Sequence, residues 1–265
     1  MTTAEPTVDE LLDFALDATW QAGRITLGHF QTGTRAERKA DNSPVTIADR
    51  EAEQKLRQLI NSRWPDHALI GEEYGHAAGN AGDSGYTWII DPIDGTKSFV
   101  HGVPIYAVLL ALVKDNEPLL GVMGFPALNE MVYAARGRGC YWNGRPARVS
   151  TVNDLGNAVL LASDLNTFAG YGRSDAFQRL IAATYIQRTW GDAYGYALVA
   201  TGRAEVMLDP VMAIWDCGPL QVILEEAGGT FTDWKGIPTI FSGEAIATNG
   251  ALFDQVMAII REGES

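Results

Sequence analysis

The chain has 265 residues, of which 46% are apolar and 20% are charged, and its formal net charge is −13. This length and composition suit one large α/β unit or two packed domains, and they exclude wholesale disorder. A surface this acidic, with a pI near 4.7, repels nucleic acid and anionic membranes, so we expect neither as a partner.

The cysteines and the apolar segments indicate the compartment. Cys140 and Cys217 have no CxxC spacing, which argues against a disulfide framework or a zinc site and favours a reducing environment. The first twenty residues lack the basic and apolar regions of a signal peptide, and no apolar run approaches membrane-spanning length. We therefore expect a cytoplasmic protein.

The first half of the chain predicts two helices followed by an antiparallel sheet. Apolar residues recur at helical spacing over residues 8–30 and 47–63. Between them, the polar segment 31–44 contains glycine and proline and predicts an exposed, mobile loop. Two hairpin turns, Asp115-Asn116 and Asn143-Gly144, separate strand-like runs. These runs are residues 86–90, 107–113, 119–125 and 130–136.

After about residue 150, strands and helices alternate. The predicted strands are 158–163 and 203–209, and the predicted helices are 174–184, 192–202, 216–229 and 250–263. Such alternation is typical of α/β units. We therefore predict a mixed α/β protein with an N-terminal α+β domain over residues 1–150 and a C-terminal α/β domain over residues 151–265.

Acidic residues stand at the ends of apolar elements in four places. They are Glu72 and Glu73 in LIGEEYG, Asp91 and Asp94 in IIDPIDGT, Asp216 in IWDCGP and Asp49 in TIADRE. Each place has a simple structural interpretation: an exposed turn for the glutamates, a proline turn, a helix N-cap and a capping box, respectively. Their occurrence together favours a magnesium site, because magnesium prefers a few carboxylates with water and substrate phosphate.

The segment WIIDPIDGTKSF, residues 88–99, is the most specific signal. It resembles the DP[IL]DGT motif of the inositol monophosphatase superfamily of magnesium-dependent sugar-phosphate phosphatases. Four further segments agree with that family in order and spacing, so the resemblance extends from about residue 39 to 234. These segments are SPVTIADREAE (43–53), LIGEEYG (69–75), FVHGVPIYAV (99–108) and IWDCGPLQVILEEAGG (214–229). The resemblance implies a layered α-β-α-β-α sandwich of the sugar-phosphatase type and a homodimer.

The same resemblance implies a metal-binding role for individual residues. Glu72, Asp91 and the backbone carbonyl of Ile93 would hold one magnesium ion. Asp91, Asp94 and Asp216 would hold a second, so that Asp91 bridges the two ions. Bound metal lowers the pKa of its water and stabilises attacking and leaving oxygens. Magnesium, rather than lysine, would thus neutralise the phosphate ester that we expect as the small-molecule partner of this acidic protein.

Further residues would act beside the metals by resemblance. Glu73 would lie behind the first ion or bind a weaker third one, and Asp49 and Thr96 would orient the attacking water. The backbone N–H groups of Gly95 and Thr96, at a helix start, would bind phosphate. Lys39 would approach the site when its loop closes over the substrate.

The segment TWGDAYGYALVATGRAEVMLDP, residues 189–210, bears on the substrate. It resembles the histidinol-phosphate phosphatase branch of the family, in which Asp192 and Asp209 would face the ammonium and imidazole groups. The structural alternatives are a helix N-cap for Asp192 and a turn before proline for Asp209. The sequence therefore favours hydrolysis of histidinol phosphate. The alternatives are an inositol monophosphatase or broad sugar-phosphate phosphatase and, from another class, a catalytically idle regulatory member of the fold.

Overall fold

Helices and strands occupy most of the described part of this computed structural model, which comprises residues 5–39, 44–80 and 84–262. The helices are α1 (Val8–His29), α2 (Ile47–Arg63), α3 (Thr96–Val100), α4 (Thr167–Gly170), α5 (Ser174–Ala183), α6 (Ala193–Ala200), α7 (Ile214–Cys217), α8 (Leu220–Ala227) and α9 (Phe253–Arg261). The strands are β1 (Glu37–Arg38), β2 (Pro44–Val45), β3 (Ala68–Gly71), β4 (Gly75–Ala77), β5 (Tyr86–Asp94), β6 (Ala107–Lys114), β7 (Glu117–Phe125), β8 (Glu130–Ala135), β9 (Gly139–Trp142), β10 (Arg145–Ala147), β11 (Val159–Ala162), β12 (Ile186–Arg188), β13 (Val206–Asp209), β14 (Thr230–Thr232) and β15 (Ala245–Thr248).

The strands form two large sheets. The first has eight strands in the order β10-β9-β8-β7-β6-β5-β3-β4 and is antiparallel except for the pair β3–β5. The second has five strands in the order β12-β11-β13-β15-β14, with β11 parallel to both of its neighbours. The predicted hairpins are confirmed: positive φ angles of 51° and 66° at Asp115 and Asn116 suit a tight turn between β6 and β7.

Helices cover these sheets in layers. α1 and α2 pack on one face of the eight-stranded sheet around Leu11, Leu56 and Trp88. α6 and α8 lie between the two sheets, where Tyr196 and Leu220 belong to a shared core. α5 and α9 pack together against the outer face of the five-stranded sheet. This order confirms the predicted α-β-α-β-α sandwich. Among the described residues, no helix is both long and apolar enough to cross a bilayer.

The two halves of the chain meet in a common core. Every strand up to Ala147 belongs to the small β1–β2 ladder or the eight-stranded sheet, and every strand from Val159 onward belongs to the five-stranded sheet. The core between the sheets nevertheless combines residues from both halves, such as Ile89 and Leu161. The division at about residue 150 stays a prediction, and the two segments on either side of it pack as one hydrophobic unit.

The predicted loop 31–44 is described only in part, because residues 40–43 lie outside the described ranges. In the described part, β1 and β2 form a short antiparallel ladder that pairs Glu37 with Val45 and Arg38 with Pro44. This ladder places Lys39 at the end of β1.

Gly121 on β7 lets the helices between the sheets approach the strand closely. A Cβ atom at this position would lie 2.5 Å from the carbonyl oxygen of Pro219, between α7 and α8.

We expect Gly121→Ala to lower the free energy of unfolding by about 1–3 kcal/mol, because a backbone atom cannot move aside as a flexible side chain can. The matched control is Gly28→Ala near the end of α1, where no atom lies within 4 Å of the added methyl. This control should raise stability by up to about 1 kcal/mol. Urea unfolding of both variants checks the pair, and equal stability of Gly121→Ala and the original chain would contradict the close-packing argument.

Candidate active site

An irregularity in strand β5 brings two carboxylates to the same side. Residues three apart in a regular strand point to opposite faces of the sheet. Here Asp91 pairs with Leu109 and Asp94 with Ala107, so three steps on β5 match only two on β6. The extra residue lies beside Pro92, which has no N–H group for the ladder. The Asp91 carboxylate also accepts a hydrogen bond of 3.0 Å from the N–H of Ile93, so the proline-turn interpretation and a ligand role are compatible.

The third carboxylate comes from the helices between the sheets. Asp216 lies in the first turn of α7 rather than at its N-cap, and its Oδ2 atom accepts a 2.7 Å hydrogen bond from the N–H of Ala213. Ligand oxygens of Asp91, Asp94 and Asp216 all lie within 4.8 Å of one another. The structure therefore brings together three of the predicted metal ligands from two distant parts of the chain.

Asp91 and Asp94 are buried, and Asp216 is half-buried. Burial, reinforced by the neighbouring carboxylates, raises the pKa of Asp91 and of Asp94 well above the usual range for aspartate. Burial also raises the pKa of Asp216. Such a cluster keeps its negative charge only with a compensating cation. Carboxylate oxygens suit a hard cation such as magnesium, so the donor set fits the metal that the family resemblance implies.

The glutamates lie at the adjacent edge of the same sheet. Because β3 runs parallel to β5, with Gly71 opposite Ile90, Glu72 follows β3 next to Asp91. Lys39 Nζ donates to Glu72 Oε1 at 2.7 Å and to Glu73 Oε1 at 2.5 Å. Burial raises the pKa of Glu72 to about 7, although Lys39 opposes this shift. The structure thus places Lys39, Glu72 and Glu73 together, and the approach of Lys39 on closure over a substrate stays a prediction.

Asp49 and Thr96 meet near the start of α3. The Asp49 carboxylate accepts hydrogen bonds from the N–H (2.8 Å) and the hydroxyl (2.6 Å) of Thr46, as the capping-box interpretation requires. Its other oxygen lies 3.5 Å from the Thr96 hydroxyl, which also donates to the Ile93 carbonyl at 3.0 Å. Both side chains are buried. Asp49 therefore caps α2 and also faces Thr96, where the water-orienting role was predicted.

Asp192 has an unusual backbone conformation beside the carboxylates. Its φ and ψ angles are 50° and −152°, and its side chain makes no capping hydrogen bond to α6. Residues other than glycine rarely adopt such a conformation, which costs about 1–3 kcal/mol. A Cβ atom on Gly95 would lie 2.7 Å from Asp192 Oδ2, so glycine at position 95 leaves room for the carboxylate. The N–H of Ala193 donates to Asp94 Oδ2 at 2.6 Å, which joins this turn to the carboxylate cluster.

Asp209, at the end of β13, lines a cavity of about 90 Å³ together with Asp94, Asp192 and Asp216. Its Oδ2 atom accepts hydrogen bonds from the hydroxyls of Tyr196 at 2.9 Å and Ser163 at 3.1 Å. Burial raises the pKa of Asp209 to about 7, against the effect of these two hydroxyls. Asp209 therefore lies near Asp192, but both oxygens of its carboxylate already accept hydrogen bonds from groups of the protein.

Sequence reasoning missed four groups that hold the site together. Ser163 directly follows β11, and the Ala193 N–H and the Tyr196 hydroxyl belong to α6. Glu53 on α2 is fully buried, and one of its oxygens accepts a 2.7 Å hydrogen bond from the N–H of Glu73. The available signals were an acid within the SPVTIADREAE motif and a serine at the last position of the predicted strand 158–163.

Comparisons with known proteins agree with this geometry. A model of the inositol monophosphatase family matches residues 7–265. The histidinol-phosphatase of Chlorobaculum parvum is 41% identical over 256 residues, covering 96% of this chain and 97% of that protein. The histidinol-phosphatase of Mycobacterium tuberculosis is 40% identical over 234 residues, covering 86% of this chain and 89% of that protein. A solved structure of Thermotoga maritima IMPase, 33% identical, superposes with a TM-score of 0.86 and covers 96% of this chain and 97% of that one. The chain belongs to the inositol monophosphatase family.

Proposed function

We propose that this protein is a magnesium-dependent phosphomonoesterase that hydrolyses histidinol phosphate to histidinol and phosphate. The observation that carries the proposal is the largely buried cluster of Asp91, Asp94 and half-buried Asp216, with the Asp192 carboxylate in the adjoining cavity. The similarity to two relatives named histidinol-phosphatase supports the choice of ester.

Two magnesium ions, with a weaker third one near Glu73, would complete the proposed site. Glu72, Asp91 and the Ile93 carbonyl would hold one ion, while Asp91, Asp94 and Asp216 would hold the other. Bound magnesium lowers the pKa of water and stabilises negative charge on phosphoryl and leaving-group oxygens. No lysine is then needed at the centre of the acidic cluster.

The protein groups around the phosphate position the reactants. Asp49 and Thr96 form the proposed water-orienting pair, and their side chains face each other at 3.5 Å. The N–H groups of Gly95 and Thr96 lie at the first turn of α3, where they can donate to phosphate oxygens. The water oxygen bonds to phosphorus as the ester P–O bond breaks; one proton of the water ends on the departing alcohol oxygen, and the other stays on the released phosphate.

The alcohol end of the substrate would lie on the Asp192 side of the cavity. A carboxylate there attracts the ammonium or imidazolium of histidinol phosphate, whereas neutral inositol gains less from it. Asp209 completes this acidic wall. Inositol monophosphatase activity is the second candidate, because the fold superposes closely on the Thermotoga maritima IMPase.

Initial rates with four esters test the proposal: histidinol phosphate, inositol 1-phosphate, fructose 1,6-bisphosphate and a nucleotide 3′-phosphate, each with and without magnesium. We expect the highest kcat/KM for histidinol phosphate and no turnover in the presence of a chelator. A higher kcat/KM for inositol 1-phosphate would favour the second candidate. Absence of phosphate release from all four would leave a regulatory protein without catalysis.

We also propose that the protein works as a cytoplasmic homodimer. Val103, Leu165 and Trp190 are exposed apolar residues, with 41%, 55% and 47% of their surface accessible to solvent, and such a surface suits contact with a second copy. Cys140 and Cys217 are both free and buried, which suits a reducing compartment. Sedimentation equilibrium checks the dimer, and Trp190→Glu should favour the monomer.

A further inference from the structure

The turn that carries Asp192 is held from both sides. The N–H of Asp192 donates to Ser163 Oγ at 3.0 Å, and the next N–H, of Ala193, donates to Asp94 Oδ2 at 2.6 Å. Gly191 allows this close approach, because a Cβ atom there would lie 2.3 Å from Ser163 Cα. Two hydrogen bonds and one close backbone contact therefore define a conformation that a residue other than glycine rarely adopts.

Hydrogen bonds to Asp209 hold Ser163 in place. Its hydroxyl donates to Asp209 Oδ2 at 3.1 Å, and its N–H donates to Asp209 Oδ1 at 3.3 Å. Tyr196, which is fully buried, donates its hydroxyl to the same Oδ2 atom at 2.9 Å. The hydroxyl proton of Ser163 is thus directed at Asp209, which leaves an Oγ lone pair to accept from Asp192.

We propose that Ser163, Asp209 and Tyr196 are positioning residues that fix the Asp192 backbone, so that the Asp192 carboxylate points beside Gly95 to the alcohol end of the substrate. Asp209 then acts on substrate choice through Ser163, in addition to its place in the cavity wall. The choice of cationic alcohol rests on the proposed function, whereas the hydrogen-bond chain is independent of it.

The chain of contacts connects the ends of two neighbouring parallel strands in the second sheet. Ser163 follows β11 and Asp209 ends β13, and these strands are neighbours that pair Ala162 with Leu208. Their carboxyl ends therefore lie side by side at the edge that faces the carboxylate cluster. Tyr196 belongs to α6, which begins directly after Asp192. The same helix thus carries the positioned residue and one of the groups that stabilise its anchor.

Ser163→Ala tests the proposal without adding volume. We expect KM for histidinol phosphate to rise about tenfold, the loss expected for one buried hydrogen bond, with little change in kcat. KM for inositol 1-phosphate and inhibition by inorganic phosphate should hardly change, because the phosphate side of the site is intact. Tyr196→Phe should change KM in the same direction by a smaller factor. Ser62→Ala on α2, which also loses a serine hydroxyl hydrogen bond, is the control and should leave all constants unchanged.

A measurement without substrate tests the contact itself. In Ser163→Ala, hydrogen exchange at the Asp192 amide should be about tenfold faster, because its acceptor is gone. Exchange at the amides of β11 should stay the same, which separates a local effect from loss of the fold. An unchanged exchange rate at Asp192 would overturn the inference even if the substrate assignment is correct.

A double-mutant cycle separates positioning from general support. Glycine adopts the backbone conformation of residue 192 readily. In an Asp192→Gly background, Ser163→Ala should therefore cause little further loss in kcat/KM for histidinol phosphate. Equal losses in both backgrounds and on both esters would show that Ser163 only supports the fold, and would refute its positioning role. If Asp192→Asn leaves histidinol phosphate turnover intact while exchange at residue 192 still responds to Ser163→Ala, the substrate assignment fails and the positioning contact remains.

Discussion

Asp91→Asn should lower kcat by about a thousandfold, or about 4 kcal/mol of barrier, at saturating magnesium. Asp91 would serve both proposed metal ions, and its carboxylate lies with those of Asp94 and Asp216 within 4.8 Å. An amide keeps the shape of the side chain but removes its negative charge. Release of inorganic phosphate from the preferred ester measures the effect. A variant with nearly normal kcat would be incompatible with two ions that share this residue.

Melting temperatures separate this catalytic loss from unfolding. The Asp91 carboxylate is buried among other acids, and its pKa is raised by that burial and by their charges. Without metal, Asp91→Asn should therefore melt no lower than the original chain, because a poorly solvated acid has been removed. Magnesium should raise the melting temperature of the original chain and hardly change that of the variant. Asp254→Asn, exposed on α9, is the matched control and should leave both kcat and the magnesium response unchanged.

Asp192→Asn should reduce kcat/KM for histidinol phosphate by about ten- to a hundredfold. A charge-assisted hydrogen bond contributes about 1.5–3 kcal/mol, and the amide cannot provide it as an anion. Inositol 1-phosphate has no cationic group, so its kcat/KM should fall much less. Asparagine has the size and shape of aspartate, and the hydrogen bonds that hold the turn at 50° and −152° come from backbone N–H groups, so we expect the turn to be preserved. Steady-state kinetics with both esters, together with melting temperatures, check the prediction.

The helix-cap alternative for Asp192 makes a different prediction. Loss of a helix cap would lower stability and would reduce turnover of both esters equally. Asparagine caps helices about as well as aspartate, so the helix-cap alternative predicts no effect of Asp192→Asn on either ester. Asp209→Asn should shift selectivity in the same direction as Asp192→Asn, because its carboxylate holds Ser163. Equal losses on the two esters would leave a general phosphatase, and the histidinol assignment would have to be abandoned.

Local patterns were sufficient to predict much of the fold. The apolar periodicity of α1 and α2 and the hairpin at Asp115-Asn116 depend on neighbours along the chain. The acids of the IIDPIDGT motif were identified because a proline, two aspartates and a glycine at a strand end form one recognisable unit. The layered order followed from the resemblance, and the structure confirms it.

The remaining features depend on contacts between distant segments. The residues next to Asp192 in the sequence do not indicate its backbone angles. These angles are stabilised by Ser163, which lies 29 residues earlier in the chain. The extra residue on β5 likewise appears only when β6 is paired with it. Similarly, Glu53 is an ordinary helix residue in the sequence, and its role beneath Glu73 becomes visible only when α2 packs near the end of β3. Short-range patterns contain no information on such long-range pairs.

The hydrogen bond from the Ala193 N–H to Asp94 Oδ2 has a consequence for how such proteins diversify. One end of this bond belongs to the turn that would meet the alcohol, and the other to a carboxylate that would meet the cation. A ligand that alters the turn therefore alters the cation affinity, and thermodynamic reciprocity makes the two effects equal in free energy. Variants that adapt residues 191–193 to a new alcohol should therefore also change the affinity for the proposed magnesium ion. Under the proposed function, selection for a new alcohol would then act on the metal affinity at the same time, through this one hydrogen bond.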